Sequence, residues 1–302
     1  MNRRETLKRL SACTVALASP LLAFDNKNML RRKIPSTGEA LSSVGLGTWQ
    51  TFDVGSSESE RGPLKEVLKA LFENDGQVID SSPMYGSSEK VVGDLSTDLK
   101  LNEKFFMATK VWTSGLDAGK KQIQNSFRLL QRDKIELLQI HNLVDWKTHL
   151  KTLQQMKEEN KIKYIGLTHY LDSAHSTIET IIKENKIDFI QVNYSLRSRN
   201  AEKNLLPAAA DQGVAVLINR PFEEGALFDA VKGKTLPAWA EEFGCKSWGQ
   251  FFLKFILSNP HVTCVIPGTS KVKHLLDNVG AGLGRLPDEN ERKKMIALLD
   301  RG

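Results

Sequence analysis

Short apolar runs rich in β-branched residues alternate with longer segments of helical period through most of the chain. The eight runs that predict strands span residues 44–47, 78–80, 105–111, 135–141, 164–168, 189–194, 214–218 and 262–266. The main segments that predict helices between and after them span residues 62–74, 87–95, 119–131, 146–159, 173–184, 202–212 and 271–278. Regular alternation of strand and helix favours a parallel sheet built from βα units. Eight such units within about 250 residues predict an α/β fold, the closed (β/α)8 TIM barrel.

Further elements frame the predicted barrel. Residues 30–43 predict an N-terminal β-hairpin whose turn is Pro35-Ser36-Thr37-Gly38. Two extra helices are predicted, one at residues 247–257 with Ser247 as its N-cap and one at residues 288–299. Because no linker or low-complexity segment interrupts the pattern, residues 25–302 are predicted to form a single domain.

The first two dozen residues have the layout of a secretory signal peptide. A basic segment containing Arg3-Arg4 precedes an uncharged apolar run at residues 10–24, and Ala16-Leu17-Ala18 fits a cleavage site. The arginine pair resembles a twin-arginine export signal. We therefore expect residues 1–24 to engage the export machinery and direct the protein to the periplasm. If the signal is not used, the protein is expected in the cytoplasm. An amphipathic N-terminal helix is the alternative interpretation.

Charge and hydropathy argue against two kinds of partner. The 302-residue chain has a formal net charge of +6, and removal of residues 1–24 takes away four basic residues and one acidic residue, which leaves +3. This small charge does not indicate a nucleic-acid partner. The apolar run at residues 10–24 is shorter than the roughly 20 residues of a membrane helix. The mature protein is not expected to insert stably into a membrane.

Polar residues that end the apolar runs are the candidates for chemistry, because the sites of TIM barrels lie at the carboxyl ends of the strands. Asp80, Lys110 and His141 end the second, third and fourth runs, and Tyr85 follows in a proline-containing loop. A tyrosine phenol can protonate a developing alkoxide when a cation lies nearby. Lys110 would supply that cation and Asp80 would orient it. His141 could hydrogen-bond the substrate oxygen. Such a site polarises and protonates a carbonyl but needs a cofactor as hydride source.

Two other interpretations of these residues are open. Asp80, Lys110 and His141 could be a buried polar network without catalytic function, since buried lysine and aspartate are usually paired. A metal site built on His141 and His169 would make the protein a metal-dependent barrel hydrolase. Several more ligands would then be expected at the strand ends, so no metal is predicted.

Burial of other side chains can also be predicted from their surroundings in the sequence. Cys264 lies in an apolar run and is expected to be a buried free thiol. His149, His175 and His261 lie in helical or loop segments and are expected at the surface.

Five phrases of the sequence together resemble the aldo-keto reductase superfamily over about residues 30–285. They are Gly45-Leu46-Gly47-Thr48-Trp49, residues 80–86, Ala108-Thr109-Lys110, Leu137-Leu138-Gln139-Ile140-His141 and Val265-Ile266-Pro267-Gly268-Thr269-Ser270. The family's catalytic tetrad falls on Asp80, Tyr85, Lys110 and His141. The resemblance implies an NAD(P)H-dependent oxidoreductase that reduces an aldehyde or ketone to an alcohol, with hydride from the nicotinamide and the proton from Tyr85. A non-catalytic, cofactor-binding regulatory subunit on the same barrel is the alternative.

The resemblance also implies a set of cofactor contacts. They are Gly47, Thr48, Trp49, Thr168, His169, Gln191, Asn219, Arg220, Pro221, Phe222, Gly268, Thr269, Ser270, Lys271, His274, Asp277 and Asn278. Thr168 and Gln191 match the positions that hydrogen-bond the nicotinamide carboxamide, whereas His169 stands where asparagine is usual. Asn219 replaces the aromatic residue that stacks on the nicotinamide, so either Phe222 substitutes for it or that face is covered differently.

The adenosine end of the cofactor site bears on the choice between NADPH and NADH. Lys271 and Ser270 could hold a 2′-phosphate at a helix N-terminus. His274 replaces the arginine common at its position, which weakens this preference without removing it. We expect NADPH, with NADH as the alternative. Trp49 and Trp112, just beyond strand ends, are expected to line the pocket for a small-molecule carbonyl substrate.

Overall fold

The computed structural model describes residues 28–300, so the predicted signal peptide at residues 1–24 lies outside the described part of the chain. The strands are β1 (Arg31–Lys33), β2 (Ala40–Ser42), β3 (Leu46–Gly47), β4 (Val78–Asp80), β5 (Phe106–Val111), β6 (Ile135–His141), β7 (Ile162–Thr168), β8 (Phe189–Asn193), β9 (Ala215–Asn219) and β10 (Cys264–Val265). The α-helices are α1 (Glu58–Glu73), α2 (Ser88–Asp98), α3 (Leu116–Leu130), α4 (Trp146–Glu158), α5 (His175–Glu184), α6 (Leu205–Asp211), α7 (Ala226–Ala230), α8 (Trp248–Leu257), α9 (Val272–Gly280) and α10 (Glu289–Asp300).

Strands β3 to β10 form one parallel sheet in chain order. Bridges from Val44 to Val265 and from Gly47 to Gly268 join its two edges and close the barrel. A Cβ atom at Gly47 would lie 2.7 Å from the carbonyl oxygen of Ile266, so glycine is required where the first and last strands meet. The predicted (β/α)8 barrel is confirmed.

The predicted N-terminal hairpin is also confirmed. β1 and β2 pair in antiparallel fashion with Arg31 opposite Ser42, and Gly38 has the positive φ of 75° that its tight turn requires. The side chains of Ile34 and Leu41 are buried in the same apolar cluster as the inward-facing residues of the barrel. The hairpin therefore covers the N-terminal end of the barrel.

Inward-facing residues change from apolar to polar along the strands. Near the N-terminal ends, Phe106, Leu137, Tyr164 and Phe189 pack together in a buried cluster. Side chains alternate between the two faces of a strand, so residues two or four positions further along also face inward. Buried polar residues at these positions and at the equivalent position of β4 include Asp80, Lys110, Gln139, His141, Thr168 and Gln191. The barrel thus holds a polar site at its C-terminal end above an apolar floor.

Several element boundaries differ from those predicted. The helix predicted at residues 202–212 is a 3-10 turn, Asn200–Glu202, followed by the shorter α6. Helix α1 begins at Glu58 and carries Pro63 in its second turn. The short helix α7 is not among those predicted. At the N-terminus of α8, Ser247 accepts a hydrogen bond from the backbone N–H of Gln250 at 3.0 Å, which confirms the predicted cap.

The prediction that three histidines lie at the surface is wrong for two of them. His149 is fully buried against Gly119 on α3, and its Nε2 is 2.7 Å from the carbonyl oxygen of Thr113. His175 is also buried, with Nε2 3.0 Å from Oδ1 of Asn193. His261 is exposed, as expected. A hydrogen-bond partner for a ring nitrogen offsets part of the cost of burying a histidine, and the helical position alone does not reveal such a partner.

Two further expectations concern the body of the domain. Both Cys245 and Cys264 are buried free thiols, which confirms the expectation for Cys264. Within residues 28–300, no helix combines the length and the apolar character needed to cross a membrane.

Candidate active site

Asp80 and Lys110 form a buried ion pair at the centre of the barrel mouth. They end or nearly end the neighbouring strands β4 and β5, and Lys110 Nζ donates to Asp80 Oδ2 at 2.6 Å and to the backbone oxygen of Ser81 at 2.7 Å. Neither side chain is more than 3% exposed. Burial by itself would lower the pKa of Lys110, but the adjacent Asp80 and Tyr85 raise that pKa above its ordinary value. The ammonium group is therefore charged at neutral pH.

Tyr85 lies beside this ammonium group, on the loop after β4. Its backbone N–H donates to the carbonyl oxygen of Ser82 at 3.0 Å, which fixes the turn that carries it. Lys110 Nζ is 4.8 Å from the centre of the Tyr85 ring. Burial raises the pKa of the phenol, and the positive charge of Lys110 opposes that rise. The net pKa is above the ordinary value of tyrosine, so the phenol carries its proton at neutral pH.

His141, at the end of β6, lies beside Tyr85 at the barrel mouth. Its ring is perpendicular to that of Tyr85 at a centroid distance of 6.0 Å. Burial and the charge of Lys110 lower the pKa of His141 to about 3, so the imidazole is neutral. Its Nδ1 is 3.1 Å from Ser82 Oγ, which itself accepts the backbone N–H of Met84 at 3.3 Å. The Ser82 hydroxyl can donate to Nδ1, and in that arrangement the imidazole proton lies on Nε2, where it can be donated.

The second oxygen of Asp80 is held by two amide side chains. Gln139 Nε2 donates to Asp80 Oδ1 at 2.9 Å, and Gln191 Nε2 donates to the same atom at 2.7 Å. Gln191 also donates to Gln139 Oε1 at 3.1 Å and accepts from Thr168 Oγ1 at 3.2 Å. Gln191 is thus turned towards Asp80 and Thr168 towards Gln191, and both amide hydrogens of Gln191 are already used within the barrel.

Gln139 and Ser82 are not among the predicted site residues. The signal for Gln139 is present in the sequence, since it is a polar residue two positions before His141 in an otherwise apolar run and therefore faces the same way. Ser82 lies two residues after Asp80 but outside any strand. Its contact with His141 depends on the path of the loop, which spacing does not define.

Several predicted cofactor residues already have protein partners. Thr48 is buried, and its hydroxyl donates to the carbonyl oxygen of Asp80 at 3.0 Å. Both carboxylate oxygens of Asp277 accept hydrogen bonds from α8 and its cap, from Ser247 Oγ at 2.7 Å and from Gln250 Nε2 at 3.0 Å. Phe222 packs against Phe228 with 5.0 Å between ring centres. These contacts hold the loops and helices around the site together.

The loop after β9 carries the next group of predicted contacts. Asn219 Nδ2 donates to the backbone oxygen of His169 at 3.3 Å. Arg220 has a positive φ of 48°, lies over the ring of Tyr170 at 5.6 Å and pairs with Glu224 at 3.3 Å. Pro221 is buried beside it. The loop therefore places a guanidinium group next to the end of β7.

The loop between β10 and α9 carries the predicted adenosine contacts. Gly268 bridges to Gly47, and Thr269 Oγ1 accepts the backbone N–H of Lys271 at 3.1 Å. Lys271 and His274 are exposed, Ser270 is half-buried and Asn278 is buried in α9. Lysine and histidine side chains are thus accessible beside the start of a helix, where an anion is favoured.

Two tryptophans lie just beyond the ends of barrel strands. Trp49 follows β3 and Trp112 follows β5, and their side chains are 42% and 41% exposed, which is unusual for so large an apolar side chain. The ring of Trp112 is 6.2 Å from that of His141. The barrel mouth therefore presents the apolar surface of Trp112 directly beside His141.

Unpaired polar atoms at the mouth fit a polar ligand. Within residues 28–300, eight buried side-chain atoms have no hydrogen-bond partner, and four of them follow or end barrel strands at this face. The four are Thr51 Oγ1, Asn142 Oδ1, Asn219 Oδ1 and Arg220 Nε. Asn219 Oδ1 can accept from an amide such as the nicotinamide carboxamide, and Arg220 Nε can donate to a phosphate. The same part of the chain brings together no cluster of three or more His, Cys, Asp or Glu residues suited to a metal ion.

The chain is similar to known proteins over most of its length. The sequence profile described as "Aldo/keto reductase family" matches residues 43–293. The chain is 27% identical over 263 residues to "Methylglyoxal reductase YeaE" of Escherichia coli, covering 83% of this chain and 89% of that protein. It is 26% identical over 209 residues to "Aldo-keto reductase YhdN" of Bacillus subtilis, covering 64% of this chain and 62% of the length of that relative.

Solved structures share the fold. An aldo/keto reductase from Klebsiella pneumoniae, in complex with NADP and acetate, superimposes with a TM-score of 0.75 at 24% identity, covering 87% of this chain and 93% of that one. The holo form of an aldo-keto reductase from Bacillus halodurans superimposes with a TM-score of 0.73 at 21% identity, covering 90% and 96%. At these identities the likeness establishes the barrel and its topology.

Proposed function

The chain belongs to the aldo/keto reductase family, and from this premise we propose that it is an NADPH-dependent oxidoreductase that reduces an aldehyde or ketone to an alcohol. The observation that carries the proposal is the protonated Tyr85 phenol beside the charged Lys110 and the neutral His141. A carbonyl oxygen that gains negative charge needs both a hydrogen-bond donor and a proton. Tyr85 supplies the proton, and the Nε2–H of His141 donates to the same oxygen.

Other residues of this chain support the proton transfer and bind the cofactor and the substrate. Asp80 holds the ammonium group of Lys110 in place, and the charge of Lys110 stabilises the tyrosinate left after proton transfer. Bound NADPH supplies the hydride. Asn219 and Arg220 carry unpaired polar atoms that fit its carboxamide and phosphate groups, and Trp49 and Trp112 offer exposed apolar surface for a substrate.

Turnover with purified protein tests the proposal. We expect NADPH to be consumed in equal amount to the alcohol formed when a panel of aromatic and aliphatic aldehydes and ketones is supplied. Tight NADPH binding without alcohol from any member of the panel would favour a cofactor-binding regulatory subunit instead. The relative described as a methylglyoxal reductase makes small dicarbonyls a useful part of the panel.

Lys271 is proposed to select NADPH through the 2′-phosphate. We expect Lys271→Ala to raise the Kd for NADPH about tenfold, which corresponds to about 1.4 kcal/mol, and to leave the Kd for NADH unchanged. Lys273→Ala, which removes another exposed lysine two residues further along, serves as the matched control. Fluorescence titration measures both constants. Equal Kd values for the two cofactors in the wild-type protein would contradict this assignment.

We further propose that residues 1–24 direct export by the twin-arginine route, which carries folded and cofactor-loaded proteins. Replacing both arginines, Arg3→Lys with Arg4→Lys, is expected to keep the full-length protein in the cytoplasm of a bacterium that has this pathway. Fractionation followed by mass spectrometry of the N-terminus measures the outcome. A wild-type protein found uncleaved in the cytoplasm would contradict export and leave the proposed reductase activity standing.

A further inference from the structure

We infer that Gln139 is a positioning residue for this reaction: by donating to Asp80, it keeps the shared proton of the buried ion pair on Lys110, whose charge assists Tyr85. The inference rests on the proposed function and deepens it. Gln139 Nε2 is 2.9 Å from Asp80 Oδ1, while Lys110 Nζ is 2.6 Å from Asp80 Oδ2. All three side chains are buried.

A buried carboxylate and ammonium pair competes with its neutral form. In a medium of low dielectric constant, the proton can pass from Lys110 Nζ to Asp80 Oδ2, so that an N–H bond breaks, an O–H bond forms and both charges vanish. N–H groups that donate to Asp80 Oδ1 stabilise the negative charge and oppose this transfer. Within residues 28–300, Gln139 and Gln191 are the two such donors, and Gln191 is itself held by Gln139 Oε1 at 3.1 Å.

The other ionisable groups around the pair do not replace the charge of Lys110. Tyr85 and Cys264 face Asp80, and burial raises the pKa of each. His141 and Glu89 both interact electrostatically with Lys110, Glu89 from α2 on the outer face of β5. Burial lowers the pKa of His141 to about 3, and burial raises the pKa of Glu89, which accepts from Thr109. Among these groups, Lys110 alone is cationic at neutral pH, so Tyr85 depends on the position of that proton.

The neighbouring strand leaves room for the Gln139 side chain. Gly166 on β7 is paired in register with Gln139 on β6. A Cβ atom at Gly166 would lie 2.8 Å from Gln139 Cγ and 3.1 Å from Leu137 Cδ1. Gly166→Ala would therefore displace the amide of Gln139 without changing its chemistry, which provides a second and independent way to disturb the same contact.

The pH dependence of alcohol oxidation, the reverse reaction, tests the inference. In this direction Tyr85 must be deprotonated to accept the alcohol proton, so the rate rises with pH through the pKa of Tyr85. Gln139→Met keeps the length of the side chain and removes the donor. We expect the midpoint of the profile to move up by about one pH unit and kcat below it to fall about tenfold, with the Kd for the cofactor unchanged. Gly166→Ala is expected to move the midpoint in the same direction.

A control and a second readout separate this role from a structural one. Asn102→Leu removes a buried amide that bonds the backbone of Leu130 and Gln131 outside the barrel mouth, and it is expected to leave the midpoint in place. A folded Gln139→Met protein with an unchanged midpoint would overturn the inference, even if its kcat were lower. If the wild-type protein shows no turnover, the proposed function fails. The inference is then tested by ultraviolet titration of Tyr85, read as the difference from Tyr85→Phe, which compares the wild-type protein with Gln139→Met.

Discussion

Tyr85→Phe is expected to lower kcat for aldehyde reduction by about 10²–10⁴-fold, the usual contribution of a general acid, and to leave the Kd for NADPH unchanged. The phenol is the protonated group beside Lys110 and His141, and phenylalanine preserves the ring while it removes the proton. Steady-state kinetics and fluorescence titration measure the two effects.

Tyr164→Phe is the matched control for this substitution. Tyr164 lies among the apolar side chains of the barrel floor, and its hydroxyl contacts Thr37 and Glu39 of the N-terminal hairpin. Its loss is expected to affect stability and not turnover. A Tyr85→Phe protein that retains wild-type turnover would contradict the assignment of the proton donor.

Lys110→Met is expected to produce the largest loss of stability. The substitution leaves the carboxylate of Asp80 buried without its cation, which costs about 3–5 kcal/mol. For a domain of this size, such a loss corresponds to a fall in Tm of about 10 °C. Thermal unfolding followed by circular dichroism measures this change, and reductase activity is expected to be lost as well.

The double variant Asp80→Asn with Lys110→Met separates stability from catalysis. A neutral amide in place of the carboxylate removes the uncompensated charge, so most of the lost stability is expected to return. Activity is not expected to return, because Tyr85 still lacks its cation. Equal Tm values for the single and the double variant would show that the buried charge is not the cause of the instability.

The sequence alone is sufficient to predict the barrel and the meeting of polar residues at its mouth. The alternation of apolar runs and helical segments reflects the burial of both faces of a parallel sheet, so eight strands can be identified before any contact is known. Asp80, Lys110 and His141 each end or nearly end an apolar run, and the carboxyl ends of parallel strands meet at one face. Their roles in catalysis stay predictions until the variants are measured.

The contacts that could not be predicted depend on side-chain direction and loop path. Gln139 on β6 contacts Asp80 on β4, which lies 59 positions earlier in the chain, and no local pattern specifies that contact. Asp277 matches a cofactor position, yet its oxygens bind Ser247 and Gln250. His149 has helical surroundings in the sequence, but its ring finds a carbonyl oxygen and is buried. In each case the three-dimensional fold determines which partner the side chain contacts.

Isotope labelling follows the proposed hydride transfer from NADPH to a carbonyl carbon at the Tyr85 site. The wild-type protein is incubated with benzaldehyde and NADPH that carries deuterium at both C4 positions, and the alcohol is analysed by mass spectrometry. We expect benzyl alcohol with one deuterium on the carbinol carbon, formed far more slowly by Tyr85→Phe. Unlabelled alcohol, or labelled alcohol formed equally fast by both proteins, would contradict it.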